Sequence, residues 1–408
     1  MMAGLADVLL WIVAASILAP LGVVTVECLL AVLPGRRALR QGGKTPRLAV
    51  LVPAHNEEEI IARTLLRLRP KLKAEDLLLV VADNCTDQTA RIAREAGAIV
   101  LERNDPDRRG KGFALAHGVD HLRTDPPDVV VVLDADCEAH GDTLDRLGYL
   151  AMEQSRPVQA IYRFETAEDS GGVPAVSALA LRLKTVVRPL GLARCGLPCQ
   201  LMGSGMAFPW PVIRDAPLAD GHLVEDVRLG LRLAAAGQAP LLDADSLVTT
   251  NLPRQRQAFL TQRTRWEHGH LHVLLTMAPR ALGTALRRRN LGLACLALDI
   301  AVPPLSLLGL GWLVALMLAA GLAWGGTSAL PALALALGGA AAVAAVGAAA
   351  TVYCRDYWSL ATVAAIPRYM LCKLPIYTRL LSLGRQCQWV RTAREPCRAG
   401  NENASGVS

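Results

Sequence analysis

Apolar positions along this chain fall into two regimes. They run almost unbroken from Ala6 to Leu33, with Asp7 and Glu27 near the ends, and again from Leu291 to Leu322 and from Ala329 to Val352. Each run reaches the roughly 20 residues that a helix needs to cross a bilayer. Pro303 and Pro304 fall inside the second run and predict a kink or break. Between Thr45 and about Arg289 the apolar runs shorten to strand length and alternate with amphipathic stretches. RLAVLVPA reads as a strand ending at a proline, followed by a helix over Glu57 to Leu68. LLLVVAD is the next strand, and TDQTARIAREAG a helix capped by Thr86 or Asp87 and stopped by Gly97. VVVVLDAD is a fully buried strand followed by a helix from about Asp142. Such alternation predicts a parallel sheet covered on both faces by helices.

Charge orients these pieces. Arg36, Arg37, Arg40, Lys44 and Arg47 follow the first apolar run, Arg287, Arg288 and Arg289 precede the second, and Arg355 follows the third. The positive-inside rule then puts the N-terminus outside and the strand–helix region in the cytoplasm. The first run exceeds a cleaved signal's core and has no basic stretch ahead of it, so it is expected to remain as an anchor. Trp358 to Leu383 is apolar but carries Arg368, Lys373, Arg379 and two prolines, which predicts a segment lying on the inner leaflet. The expected layout is a transmembrane helix over 6–33, a cytoplasmic domain over 45–289, two transmembrane helices over 291–352, an interfacial segment over 358–383 and a basic, polar tail over 384–408. This describes a multi-pass protein of the cell inner membrane. The alanine-rich stretch from Leu330 to Ala350 predicts close helix packing through small residues, and Asp299 is expected near the interface or hydrogen-bonded at the proline kink.

Composition narrows the class. With 52% hydrophobic and 19% charged residues, the chain is neither disordered nor a small disulfide-stapled domain. Its net charge of +7 is accounted for by membrane-flanking arginines, with no need for a nucleic-acid partner. The ten cysteines form no CxxC pair, which argues against a zinc site. No GxGxxG follows the first strand, and RRGKGFAL lacks the Walker spacing. Its Lys111, alone in a glycine-bounded loop, is a candidate phosphate contact. His268 and His272, four apart, lack the glutamate of a zincin and predict a helix face at an interface.

In doubly wound sheets ligands bind at the carboxyl ends of strands. Those ends carry Glu57, Asp83, Asp134 and Asp136, a set of carboxylates without evident basic partners that calls for a metal or a donor-rich ligand. In order, VPAHNEE, VADNCTD, LDADCE, VED and QRTRW resemble the motifs of membrane-bound family-2 glycosyltransferases, which include cellulose, chitin and hyaluronan synthases and ceramide glucosyltransferases. The resemblance spans Leu48 to Trp266 and the layout of flanking helices. It implies a GT-A-like, Rossmann-type α/β nucleotide-sugar domain. Glu57 and Asp83 would hold the uridine of a UDP-sugar, with Lys111 on its phosphates. Asp134 and Asp136 match the DxD pair that binds Mg²⁺ or Mn²⁺. Asp226 matches the catalytic base, with Glu225 its acidic neighbour, and Gln262, Arg265 and Trp266 match the signature that embraces the diphosphate and the acceptor. Gly203, Ser204 and Gly205 fall where relatives shape the acceptor site. VED stands where the family has TED, and ADNCTD where it has DDGSTD, so no essential charge is lost.

The resemblance implies an inverting, metal-dependent transferase acting on a carbohydrate or lipid acceptor at the inner membrane face. The low aromatic content, 4%, and the few spans favour a short product, a lipid acceptor, a homo-oligomer or an export partner over a polymer tunnel within one copy. The alternative is a non-catalytic, membrane-anchored nucleotide-sugar-binding partner subunit. Loss of the DxD or of the base would mark it, and both are intact.

Overall fold

The computed structural model describes residues 2–34, 45–165, 172–222, 224–252 and 256–383. The basic cluster at 36–44 and the 384–408 tail therefore lie outside the described residues. At the centre, β1 (Leu48–Ala54), β2 (Leu77–Asp83), β3 (Ile99–Arg103) and β4 (Val129–Val132) pair in parallel, with β1 between β2 and β4. They are unbroken apolar runs because both faces are covered. One face packs Leu48, Val50 and Val52 against Ile61, Leu65 and Leu147, and the other packs Ala49, Leu51 and Val81 against Leu115, Val119 and Leu122.

Beyond β4 the expected parallel order gives way. With β5 (Cys137–Ala139), β6 (Val158–Glu165), β7 (Met206–Pro209) and β8 (Leu241–Asn251), the sheet has eight strands in the order β3-β2-β1-β4-β7-β6-β8-β5. β7 runs antiparallel to both β4 and β6, and β5 antiparallel to β8, so the α/β sheet is mixed. The cause is the connection: the chain leaves β4 through β5, a helix, β6 and a long helical excursion, and re-enters from the opposite end as a four-residue strand.

Three helices are long and apolar enough to cross a membrane: Leu5–Val32, Leu305–Trp324 and Leu330–Tyr353. Trp11, Ile12, Leu318, Leu337 and Val343 are exposed on them, an apolar surface that supports membrane association. Small residues bring two of these helices together: a Cβ on Gly339 would lie 2.1 Å from the Trp312 indole, whose Nε1 donates to the Leu335 carbonyl at 2.8 Å. The run from Leu291 to Leu322 is not one helix. It divides into Leu291–Ile300 and Leu305–Trp324, because Pro303 and Pro304 have no N–H to donate and their rings clash with the preceding turn. Asn290 caps the short helix through its side chain (2.9 Å to the Leu293 N–H), and Leu293, Leu296 and Ile300 pack on Leu231 and Ala234 of the strand–helix domain.

Buried polar contacts join the two regimes. Arg188 donates to Glu27 of the N-terminal helix (2.5 Å) and to Asp299 (2.5 Å), whose other oxygen accepts from Gln200 (2.6 Å). Asp299 is thus hydrogen-bonded beside the proline break, as the sequence suggests. The Leu360–Leu383 helix, which carries both of its prolines internally, docks on the helix Arg256–Thr276: Lys373 pairs with Glu267, and His268 Nε2 lies 3.0 Å from the Ile376 carbonyl. His270 meets the Val302 carbonyl at 2.8 Å. His268 therefore serves an interface between helices.

Candidate active site

The carboxyl ends of β1, β2 and β4 open into a cavity of about 370 Å³. Asn56 and Asn84, just past β1 and β2, both adopt the left-handed conformation (φ 55° and 51°) that asparagine tolerates better than most residues. The two turns lie side by side, joined by the Asn56 side chain to the Thr86 N–H (2.7 Å), and they leave Glu57 and Asp83 in the cavity wall. Asp134 and Asp136 follow β4. Lys111 opens the helix Lys111–Leu122, whose Gly112 has no room for a side chain: a Cβ there would lie 2.4 Å from the carbonyl oxygens of Leu218 and Asp220.

Two of the crowded acids have basic partners that the sequence reading lacks. Arg103, in register with Asp83 across β2 and β3, donates to it at 2.6 Å. Lys111 is hydrogen-bonded to Asp134 and, at 2.8 Å, to the Gly203 carbonyl. Burial alone would pull the Lys111 pKa down, but Asp134, Glu225 and Asp226 outweigh it and hold the ammonium protonated.

Asp134, Asp136 and Cys137 bring their candidate ligand atoms within 4.8 Å of one another. The carboxylates are hard oxygen donors suited to Mg²⁺ or Mn²⁺. Cys137 is not: burial pushes its thiol well above the usual range, and it lies 3.4 Å from the Tyr162 hydroxyl. Lys111 engages Asp134, and the two carboxylates together make a donor set that fits a hard divalent ion.

Glu225 and Asp226 form the first turn of the helix Glu225–Ala235, where a helix N-terminus favours acids. Both also line the cavity. One Asp226 oxygen accepts from the Val227 N–H (2.8 Å), and the other faces Gly203, where a Cβ would come within 3.4 Å. Gly203 (φ 89°) and Gly205 (φ 68°) flank Ser204, whose Oγ accepts from the Asp134 N–H at 3.0 Å. This loop sets the metal-side acids against Asp226. Burial raises the Asp226 carboxyl, and burial with the Asp226 charge raises Glu225 to about 7.

Gln262, Arg265 and Trp266, at i, i+3 and i+4, share one face of the Arg256–Thr276 helix and all line the cavity. Trp266 stands edge-on to Phe164 (5.3 Å between centroids), itself against Tyr162 (4.6 Å). The Gln262 amide oxygen is buried with no hydrogen-bond partner among the described residues, an acceptor ready for a ligand hydroxyl.

Glu57, Asp83, Lys111, Asp134, Asp136, Gly203, Glu225, Asp226, Gln262, Arg265 and Trp266 thus line one cavity, while Ser204 and Gly205 of the expected acceptor site do not line it. The sequence reading passes over Arg103, Lys184, Arg188 and Gln200. Lys184 and Arg188 stand four apart in a strongly apolar stretch, and isolated cations in such a run are the signal that could have marked them.

A sequence model described as glycosyltransferase like family 2 matches residues 46–269. The chain is 36% identical over 104 residues to the low-salt glycan biosynthesis hexosyltransferase Agl6 of Haloferax volcanii, covering 25% of this chain and 24% of that protein. It is 25% identical over 254 residues to the probable glycosyltransferase YdaM of Bacillus subtilis, covering 56% of each. The matches thus span about a quarter to just over half the length of these relatives. In fold, the chain is similar to the mannosyltransferase PcManGT of Pyrobaculum calidifontis, solved with GDP-Man and Mn²⁺, with a TM-score of 0.54 at 20% identity over 86% of this chain and 99% of that one. The matched family model covers more than half of the sequence, and the chain belongs to the glycosyltransferase-like family 2.

Proposed function

We propose that this protein is an inverting, metal-dependent glycosyltransferase of GT-A type, moving a sugar from a nucleoside-diphosphate sugar to a lipid or carbohydrate acceptor at the cytoplasmic face of the inner membrane. The observation that carries the reading is the opposition of Asp226 to the Asp134–Asp136 pair across Gly203 in a single cavity. The cavity's other walls include Pro304, Leu305 and Tyr369, at the start of a span and on the helix that docks beside it, which favours a lipid acceptor.

Asp136 and Asp134 would hold Mg²⁺ or Mn²⁺, which when bound supplies positive charge for the donor diphosphate. Glu57 and Asp83 bind the nucleoside, and Lys111 and Arg265 neutralise charge growing on the departing diphosphate. Asp226 takes the proton of the acceptor hydroxyl as its oxygen bonds to the anomeric carbon. The bond from that carbon to the diphosphate oxygen breaks on the opposite face, so an α-linked donor gives a β-linked product. Trp266, on its aromatic shelf, offers a face to a sugar ring, and Gln262 accepts from a hydroxyl.

The base is uridine in our reading of the motifs, while the Pyrobaculum mannosyltransferase was solved with a guanosine donor. The test therefore covers both: nucleotide release by the purified full chain with Mn²⁺ across UDP- and GDP-sugars, beside Asp226→Asn. Release with one donor, abolished by the substitution, supports the reading. Binding of neither UDP nor GDP overturns it.

A further inference from the structure

Among the cations in the cavity wall that this chemistry does not use, Lys184 stands out. It lies on a π-helical turn, Leu183–Val187, set between the helices Val173–Arg182 and Arg188–Arg194. Such a turn inserts an extra residue and re-aims the side chains around it, and it recurs at functional sites. The other cations nearby are engaged: Arg188 by Glu27 and Asp299, Lys111 by Asp134, Arg263 by the Ser177 carbonyl at 2.8 Å, and Arg109 by the Pro106 carbonyl at 3.0 Å. Lys184 has no hydrogen bond or ion pair among the described residues. Lys184 is half-buried, and although Asp226 and Asp299 lie close enough to act on its charge, neither is bonded to it, so a ligand anion would give the ammonium a direct partner.

Its surroundings say where the anion comes from. Leu183 and Val187, on either side of Lys184, pack with Leu21 and Val24 of the N-terminal span and Ala345 and Ala349 of another. Lys184 therefore sits on the membrane side of the cavity. Asp226 is close enough to act on its charge.

We infer that Lys184 receives the phosphate of an anionic lipid acceptor whose reacting hydroxyl lies at Asp226. This rests on the transferase reading above. The shared chemistry is a phosphate anion, and its other source would be the donor diphosphate.

The test uses the full chain in detergent as wild type, Lys184→Met and Lys184→Arg. Native mass spectrometry reads retention of phosphatidylglycerol, which has a hydroxyl beside its phosphate, against diacylglycerol, which has only the hydroxyl. Calorimetry reads UDP and GDP binding with Mn²⁺. We expect wild type to prefer phosphatidylglycerol, Lys184→Met to lose roughly 10- to 100-fold of that preference, as for a hydrogen bond to a charged group, and Lys184→Arg to keep most of it, with nucleotide binding unchanged throughout. No preference in the wild type, or a preference that Lys184→Met leaves intact, overturns the inference. Loss of nucleotide binding in Lys184→Met with lipid retention intact also overturns it, and moves Lys184 to the donor. Failure of the wild type to bind either nucleotide sinks the transferase reading instead, and is read separately from the lipid arm.

Discussion

Lys111 and Asp134 form an ion pair in the cavity floor, so one carboxylate of the DxD pair is already neutralised before any ligand arrives. The pair limits repulsion among Asp134, Asp136, Glu225 and Asp226. It also withholds one oxygen from a metal. Replacing Lys111 by methionine should therefore have opposite effects on two ligands. Mn²⁺ alone should bind about 10-fold more tightly, and the nucleotide about 10-fold or more weakly, the size of a hydrogen bond to a charged group. Calorimetry with Mn²⁺ and then with nucleotide checks both signs. A parallel loss of both would show that Lys111 merely holds the fold.

As the proposed base, Asp226 must be ionised to accept a proton, and burial raises its pKa. Activity should accordingly fall on the acid side along a limb above the ordinary aspartate range. Asp226→Asn should lower turnover by about 10²- to 10⁴-fold, the usual contribution of a positioned base, with donor binding retained. A full pH–rate profile with a saturating donor measures the limb.

Glu225 gives a separate pH signature in the ligand-free protein. Its carboxyl is raised from 4.5 to about 7, so between those values the folded state holds a proton that the unfolded state has lost. Stability from this group is complete below about 4.5, declines as pH rises towards 7, and is level above it. Glu225→Gln should flatten that decline. Melting temperatures of both proteins between pH 4.5 and 8 provide the check.

Arg188 holds two buried acids at once. Arg188→Met strands both Glu27 and Asp299, and breaking even one buried pair typically costs about 3–5 kcal/mol. We expect little folded protein from this variant. Adding Glu27→Gln and Asp299→Asn should recover much of the yield, since no uncompensated charge then remains. Monodisperse yield from size exclusion distinguishes the two.

Gly339 and Gly347 lie on the same helix in opposite circumstances. A side chain at Gly339 meets the Trp312 ring, whereas a Cβ at Gly347 meets nothing within 4 Å. Gly339→Leu should destabilise by about 1–3 kcal/mol through overpacking. Gly347→Ala should be neutral, or stabilising by roughly 0.5–1 kcal/mol from helix propensity. Thermal unfolding in one detergent compares them directly.

The strands of the parallel half are legible in the sequence because burial on both faces writes them as unbroken apolar runs, and the acids that end them mark the cavity. The partners of those acids are not legible. Arg103 reaches Asp83 only through the register of two parallel strands, which no local pattern encodes. β7 is four residues long and pairs with strands far away in sequence, so its antiparallel course has no local signature either. The Glu57–Leu68 helix begins a turn later than predicted, at Ile61, because Glu57 is drawn into the turn beside β2 by its N–H bond to Thr89 (2.7 Å). Lys184 escapes notice because a π-turn shifts the helical phase by which its orientation would be read.

The break at Pro303 and Pro304 has a consequence for height. Ten residues of straight helix, from Leu291 to Ile300, would add about 15 Å of rise. Folded back instead against Leu231 and Ala234, they leave Leu305, at the start of its span, in the wall of the same cavity as the strand-end acids Asp83 and Asp134. On the lipid-acceptor reading proposed above, the two prolines thus act as a spacer removed, setting the cavity where a headgroup could reach it without its tail leaving the bilayer.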